Sequence, residues 1–127
     1  MEKATNDKVI CGEQQPESDH FVQMEGSRNG DFDGRHWRSA NGNGWFSYRM
    51  KHNGELAALR FICNTSANAD AAILVNDVEI GEIPSTAKRS EQTIVIEIPE
   101  DLSRENQLTV KVMPKSKSST PLFYEIR

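Results

Sequence analysis

The chain has 127 residues, 36% of them apolar, with five Phe, two Trp and two Tyr, which is enough for one small core beneath a mostly polar surface. Its net charge of -4 sets 15 dispersed Lys and Arg against 19 Asp and Glu, which excludes the concentrated basic face of a nucleic-acid binder. No apolar run approaches the roughly 18 residues of a membrane-spanning helix, and the N-terminus lacks the basic and apolar regions of a secretory signal.

Residues 1–8 read as a disordered extension ahead of a single domain over 9–127. The segment up to Gly44 is rich in Gly, Asn, Asp, Ser and Arg, a composition of turns and long connections around one short strand at Phe21 to Glu25. From Trp45 the pattern changes to period-2 alternation closed by turn signals, the mark of antiparallel sheets. The first strand is Trp45 to Lys51, ending at a turn on Asn53-Gly54. Leu56 to Asn64 follows, with Leu59, Phe61 and Cys63 on one face. Ala72 to Ile83 reads as a hairpin turning at Asn76-Asp77, two residues that tolerate left-handed backbone. Gln92 to Ile98 alternates and is stopped by Pro99, and Glu100 to Asn106 makes one helical turn. Gln107 to Met113 is the next strand, and Leu122 to Arg127 is the last. Short strands at these intervals predict an all-β fold, an antiparallel β-sandwich of galactose-binding-like or jelly-roll type.

Three stretches, Gly12-Glu-Gln-Gln-Pro-Glu-Ser-Asp-His20, Gly34-Arg-His-Trp-Arg38 and Gly44-Trp-Phe-Ser-Tyr48, resemble a domain of unknown function near the C-terminus of bacterial proteins taken as glycoside hydrolases. Those proteins are similar to the β-L-arabinofuranosidase family. The closing strands, Ile94-Val-Ile-Glu-Ile-Pro-Glu-Asp-Leu, Leu108-Thr-Val-Lys-Val and Phe123-Tyr-Glu-Ile-Arg, resemble those of galactose-binding-like sandwiches. The resemblance covers about Val9 to Arg127. It implies an accessory module attached to a catalytic domain elsewhere in a longer, exported chain, placing it in the periplasm or outside the cell. Gly42-Asn43-Gly44, which lengthens the loop before Trp45, and Lys115 to Thr120, which lacks glycine, depart from the expected pattern.

The chain by itself carries little that is catalytic. Glu17 with Asp19, or Asp31 with Asp33, supply carboxylate pairs by type, but such pairs arise by chance in any acidic loop. No Gly-x-Ser-x-Gly elbow is present, and Cys63 falls in an apolar strand where a thiol is usually inert. Cys11 and Cys63 are read as buried fillers in preference to a disulfide. Asn29 to Gly34 resembles part of a calcium loop, making Asp31 and Asp33 weak ligands, yet the downstream bidentate Glu is missing. No cofactor is expected, and His20, His36 and His52 lack zinc-ligand spacing.

The densest local chemistry is His20, Arg35, Trp37, Arg38 and Trp45, with His36 and Tyr48 nearby. Aromatic faces for a sugar ring and planar groups for its hydroxyls are both present. The competing reading buries Trp45 in the core, plugs the sandwich end with Trp37, and pairs Arg35 or Arg38 with Glu13, Glu17 or Asp19 to pin a loop. Two functions therefore remain open. The main one is a non-catalytic structural domain docking on the catalytic domain of its parent chain. The alternative is a carbohydrate-binding module for plant-type oligosaccharides, using those five residues.

Overall fold

The computed structural model describes residues 9–32, 35–51, 58–103, 107–115 and 119–126. In chain order these form β1 (Val9–Ile10), α1 (Gln14–Asp19), β2 (Gln23–Phe32), β3 (Arg35–Lys51), β4 (Ala58–Thr65) and β5 (Ala71–Val75). Then come β6 (Val78–Ile83), β7 (Ser90–Glu97), α2 (Glu100–Ser103), β8 (Gln107–Met113) and β9 (Leu122–Ile126). The named strands pair antiparallel, and the hydrogen-bonded path runs β6-β5-β8-β3-β9-β4-β7, with β1 on β9 and β2 on β3.

One strand makes this path a sandwich. The C-terminal half of β3 pairs with β8, from Phe46 opposite Val112 to Lys51 opposite Gln107, whereas Arg38 near its start sits opposite Phe123 of β9. β3 thus leaves a first layer, shared with β9, β4 and β7, and enters a second, shared with β8, β5 and β6. Alternate residues of both layers face inward. Phe46 from the second layer meets Phe123 from the first edge-to-face at 5.8 Å, and Phe123 meets Phe61 at 6.0 Å. Leu59, Ile73, Val75, Leu108, Val110, Val112 and Ile126 are among the residues packed with them in the core.

The alternating segments after Trp45 form strands as their sequence predicts. Asn76 and Asp77 turn the β5–β6 hairpin at φ 50° and 70°, and the Asn76 side chain accepts the Thr109 N–H at 2.9 Å. The Asn53-Gly54 turn and the end of the Glu100 to Asn106 turn lie outside the described residues, as do residues 1–8. Cys11 and Cys63 are free and buried in the core. Burial, with Glu91 adding to it, pushes the Cys63 thiol up to about 12, and burial also raises that of Cys11, so both act as small apolar fillers.

The segment before Trp45 needs correction. Instead of loops around one short strand, it holds α1 and a long β2–β3 hairpin whose register runs from Gln23 opposite Ser47 to Phe32 opposite Arg35. Gly42-Asn43-Gly44 is part of β3 and not a loop. Glu25 pairs with Trp45 but Ser27 pairs with Ala40, so four residues of β3 bulge opposite Gly26. Gly26 and Gly42 take left-handed backbone, at φ 62° and 58°, and the Gly44 Cα packs against Gly26. That bulge is where β3 changes layers.

Candidate functional site

Alternation along β3 divides the residues expected to act together. Arg38 shares the inward side with Ala40 and the Phe46 to Met50 core positions, while Arg35 and Trp37 point outward from the first layer. Trp45 lies outward on the second layer, half-buried, with the Lys111 ammonium 4.6 Å from its ring centre. His20 follows α1, its carbonyl accepting the Arg49 N–H at 2.7 Å.

The inward side carries a closed polar knot. α1 begins with Gln14-Gln-Pro16, Pro being compatible with a first helical turn, and swings Glu17 against β3. The Glu17 carboxylate is 4% exposed and accepts bonds from Arg38 Nε at 2.5 Å and Nη2 at 2.8 Å, from the Gly12 N–H at 3.0 Å, and from the Tyr48 hydroxyl. Arg38 Nη1 donates to Ser27 Oγ at 3.0 Å and touches Met24 Sδ at 3.1 Å. Burial alone would raise the Glu17 pKa, but the bonds from Arg38, Tyr48 and Gly12 outweigh it and hold the carboxyl below its ordinary range. Burial likewise works against the Arg38 charge, and Glu17 overcomes it, raising the guanidinium pKa. Burial first, then the nearby Cys11 and Glu17, raise the Tyr48 phenol, so it stays a donor. Glu17 is thereby fixed as an anion and is unsuited to general-acid work, and Asp19 accepts from Gln15 at 3.0 Å. Arg38 is a structural cation tying α1 to the hairpin.

The outward side of the first layer is different. Trp37 is opposite Gly30 on β2, and a Cβ at Gly30 would lie 2.7 Å from Trp37 Cζ2. Only glycine lets the indole lie flat across β2, leaving the ring half-open. Two residues earlier, the Arg35 guanidinium stacks 3.9 Å from the Tyr124 ring centre and ion-pairs with Glu91. Tyr124 in turn accepts a bond from Asn64 Nδ2 at 3.2 Å. Asn64 Oδ1 is buried with no partner among the described residues, an unmatched acceptor of the kind that costs about 1–3 kcal/mol. An aromatic face, a charged donor and acceptor pair, and an orphan acceptor thus share one sheet face.

Sequence reasoning missed Asn64, Glu91 and Tyr124. Alternation from the core residue Phe123 would have turned Tyr124 outward, but only strand order brings it beside Trp37. The calcium candidate fares poorly: Asp31 binds His36 Nδ1 at 2.7 Å, and Asp33 lies outside the described residues. Among the described residues no three His, Cys, Asp or Glu side chains converge as a cation site.

An antiparallel β-sandwich whose long third strand crosses between layers has a jelly-roll architecture. The chain belongs to DUF6805, a family of unknown function whose model matches residues 1–127. No curated protein matches it. It is similar in fold to a family 35 carbohydrate-binding module from Clostridium thermocellum, with TM-score 0.61 and 12% identity over 94% of this chain and 95% of that one. A family 36 module in complex with calcium and xylotriose gives TM-score 0.61 and 15% identity, over 94% of this chain and 97% of that one. An exo-β-1,3-galactanase from Phanerochaete chrysosporium, solved with β-1,3-galactotriose, gives TM-score 0.64 and 9% identity, over 97% of this chain but 29% of that one.

Proposed function

We propose that this domain is a non-catalytic carbohydrate-binding module of a larger carbohydrate-active enzyme, and that a glycan crosses the outward face of its first layer at Trp37. The observation that carries this is the half-open indole laid flat over Gly30 beside the Arg35–Glu91 pair. A pyranose presents an apolar C–H face to such a ring and hydroxyls to groups around it. Arg35 and Glu91, both solvent-accessible, meet those hydroxyls as donor and acceptor. The fold of the solved modules supports the same assignment, and the galactanase illustrates how a domain of this fold fits within a longer enzyme.

The parent enzyme in this proposal is a bacterial glycoside hydrolase similar to the β-L-arabinofuranosidases, with the module near its C-terminus. It acts in the periplasm or outside the cell, where polysaccharide is met. Among the described residues no helix is long and apolar enough to cross a membrane. A glycan array probed with the chain is expected to show binding to neutral pyranose oligosaccharides, xylo- and galacto-oligosaccharides among them. A flat response across the array would overturn carbohydrate binding and return the domain to a docking role.

A further inference from the structure

The geometry points to a second carbohydrate subsite: we infer that the cleft between α1 and the β2–β3 hairpin takes a single neutral sugar residue, end-on. The ligand class rests on the carbohydrate-binding reading above, whereas the site itself is separate from the Trp37 face. Arg38 and Trp37 are neighbours on β3 and point to opposite sides of it, so the cleft and the platform are divided by the hairpin.

The cleft holds about 350 Å³, near the lower end of the roughly 300–1,000 Å³ usual for small-ligand sites, which suits one ring and not a chain. Its floor is the Glu17–Arg38 pair, whose charges cancel, and among the described residues no other charged side chain lines it. A uronate would lose hydration there without gaining a counter-charge, so a neutral sugar is preferred.

The polar groups are unevenly used. Glu17 is saturated by four donors. Arg38, 5% exposed, spends Nε, both Nη1 hydrogens and one Nη2 hydrogen on Glu17, Ser27 and Met24. Its second Nη2 hydrogen has no partner among the described residues, on a side chain that lines the cleft. Asn29, opposite Arg38 in the hairpin, gives one amide hydrogen to the Gly12 carbonyl at 3.3 Å and keeps its Oδ1 and other hydrogen. Gln14 and Ser18 stand exposed at the rim, and Val22 and Met24 supply an apolar wall. Hydroxyl partners on one side and a C–H surface on the other match the two characters of a sugar ring.

Amide chemical-shift mapping of the isotopically labelled chain tests this, with D-xylose, D-galactose, D-glucose, D-galacturonate and xylotriose as probes. At least one neutral monosaccharide is expected to move the amides of Gly12, Ser18 and Asn29 more than galacturonate does. Trp37→Ala should leave those shifts in place, whereas Asn29→Ala should weaken them roughly fivefold to tenfold. Gln14→Ala, at an exposed side chain, should weaken them in the same direction without touching the Gly12 contact. Neutral monosaccharides that leave the three amides unmoved, or that move them equally in both cleft variants, would overturn the subsite. Xylotriose shifts at Trp37 and Glu91 beside a silent cleft would overturn the subsite alone, and silence at both places would overturn carbohydrate binding as well.

Discussion

Replacing Arg38 with methionine is expected to destabilise the domain by about 3–5 kcal/mol, because it leaves the Glu17 carboxylate buried without its cation. For a domain of this size that lowers Tm by roughly 10–20 °C. The side-on pair of bonds from Nε and Nη2 contributes most of what holds Glu17 ionised, and Tyr48 and the Gly12 N–H cannot replace a positive charge. The double variant Glu17→Leu with Arg38→Met should recover only part of the loss. Removing both charges relieves the uncompensated anion, but Tyr48 and Gly12 then keep buried donors without their acceptor.

The sign of the pH dependence follows from the lowered Glu17 pKa. Its folded value lies below the unfolded one, so its contribution is complete above the ordinary carboxylate range of about 4.3 and is lost as pH falls through the folded value. The wild-type chain should lose stability on that acid side, and Arg38→Met should lose less, having little of this stabilisation left. Thermal melts of both chains between neutral and acid pH measure it. A single variant as stable as wild type would mean that α1 does not depend on this knot.

Gly44→Ala is expected to cost about 3 kcal/mol in chemical denaturation, at the upper end for overpacking. A Cβ there would stand 2.5 Å from the Gly26 carbonyl oxygen, 2.6 Å from that of Glu25 and 2.8 Å from that of Asn41. All three are backbone atoms of the bulge, so no side chain can swing away. Gly42→Ala is the control. Its Cβ would meet nothing within 4 Å, and it carries only the left-handed φ of 58°, a cost of about 1–2 kcal/mol. Equal effects at the two positions would show that the crossing of β3 between layers does not depend on the close contact of Gly44 with Gly26.

The strands after Trp45 were legible because each fills one face with aliphatic or aromatic residues, as Leu108, Val110 and Val112 do on β8. The first half of β3 was not, for a physical reason. Its inward positions are Arg38 and Ala40, and the bulge at Gly42 to Gly44 breaks the alternation just before it becomes readable at Phe46. An inward arginine has the look of a loop residue until Glu17, 21 positions away, is placed against it. The pairing of Arg38 with an acidic residue of the N-terminal segment was one of the readings the sequence left open.

The candidate site was legible in residue type and illegible in place. Arg35, Trp37, Arg38, His20 and Trp45 are close in sequence, yet period-2 geometry sends Arg38 inward and Arg35 and Trp37 outward, and the change of layer carries Trp45 to the other sheet. The partners that give Trp37 its surroundings, Tyr124, Asn64 and Glu91, come from β9, β4 and β7. Their approach depends on strand order, which hydrophobic alternation does not encode. The sequence shows no row of plainly exposed aromatics, whereas the structure leaves the Trp37 indole half-open over Gly30.

Titration calorimetry of the chain and its Trp37→Ala variant with xylotriose and β-1,3-galactotriose is the most direct measurement. Saturable binding of at least one trisaccharide by the unaltered chain is expected, together with a loss of about 30-fold or more in the variant, the size of an aromatic hot spot of about 2 kcal/mol. The variant should still unfold cooperatively. No heat from either sugar, or the same affinity in both chains, would contradict carbohydrate recognition through Trp37.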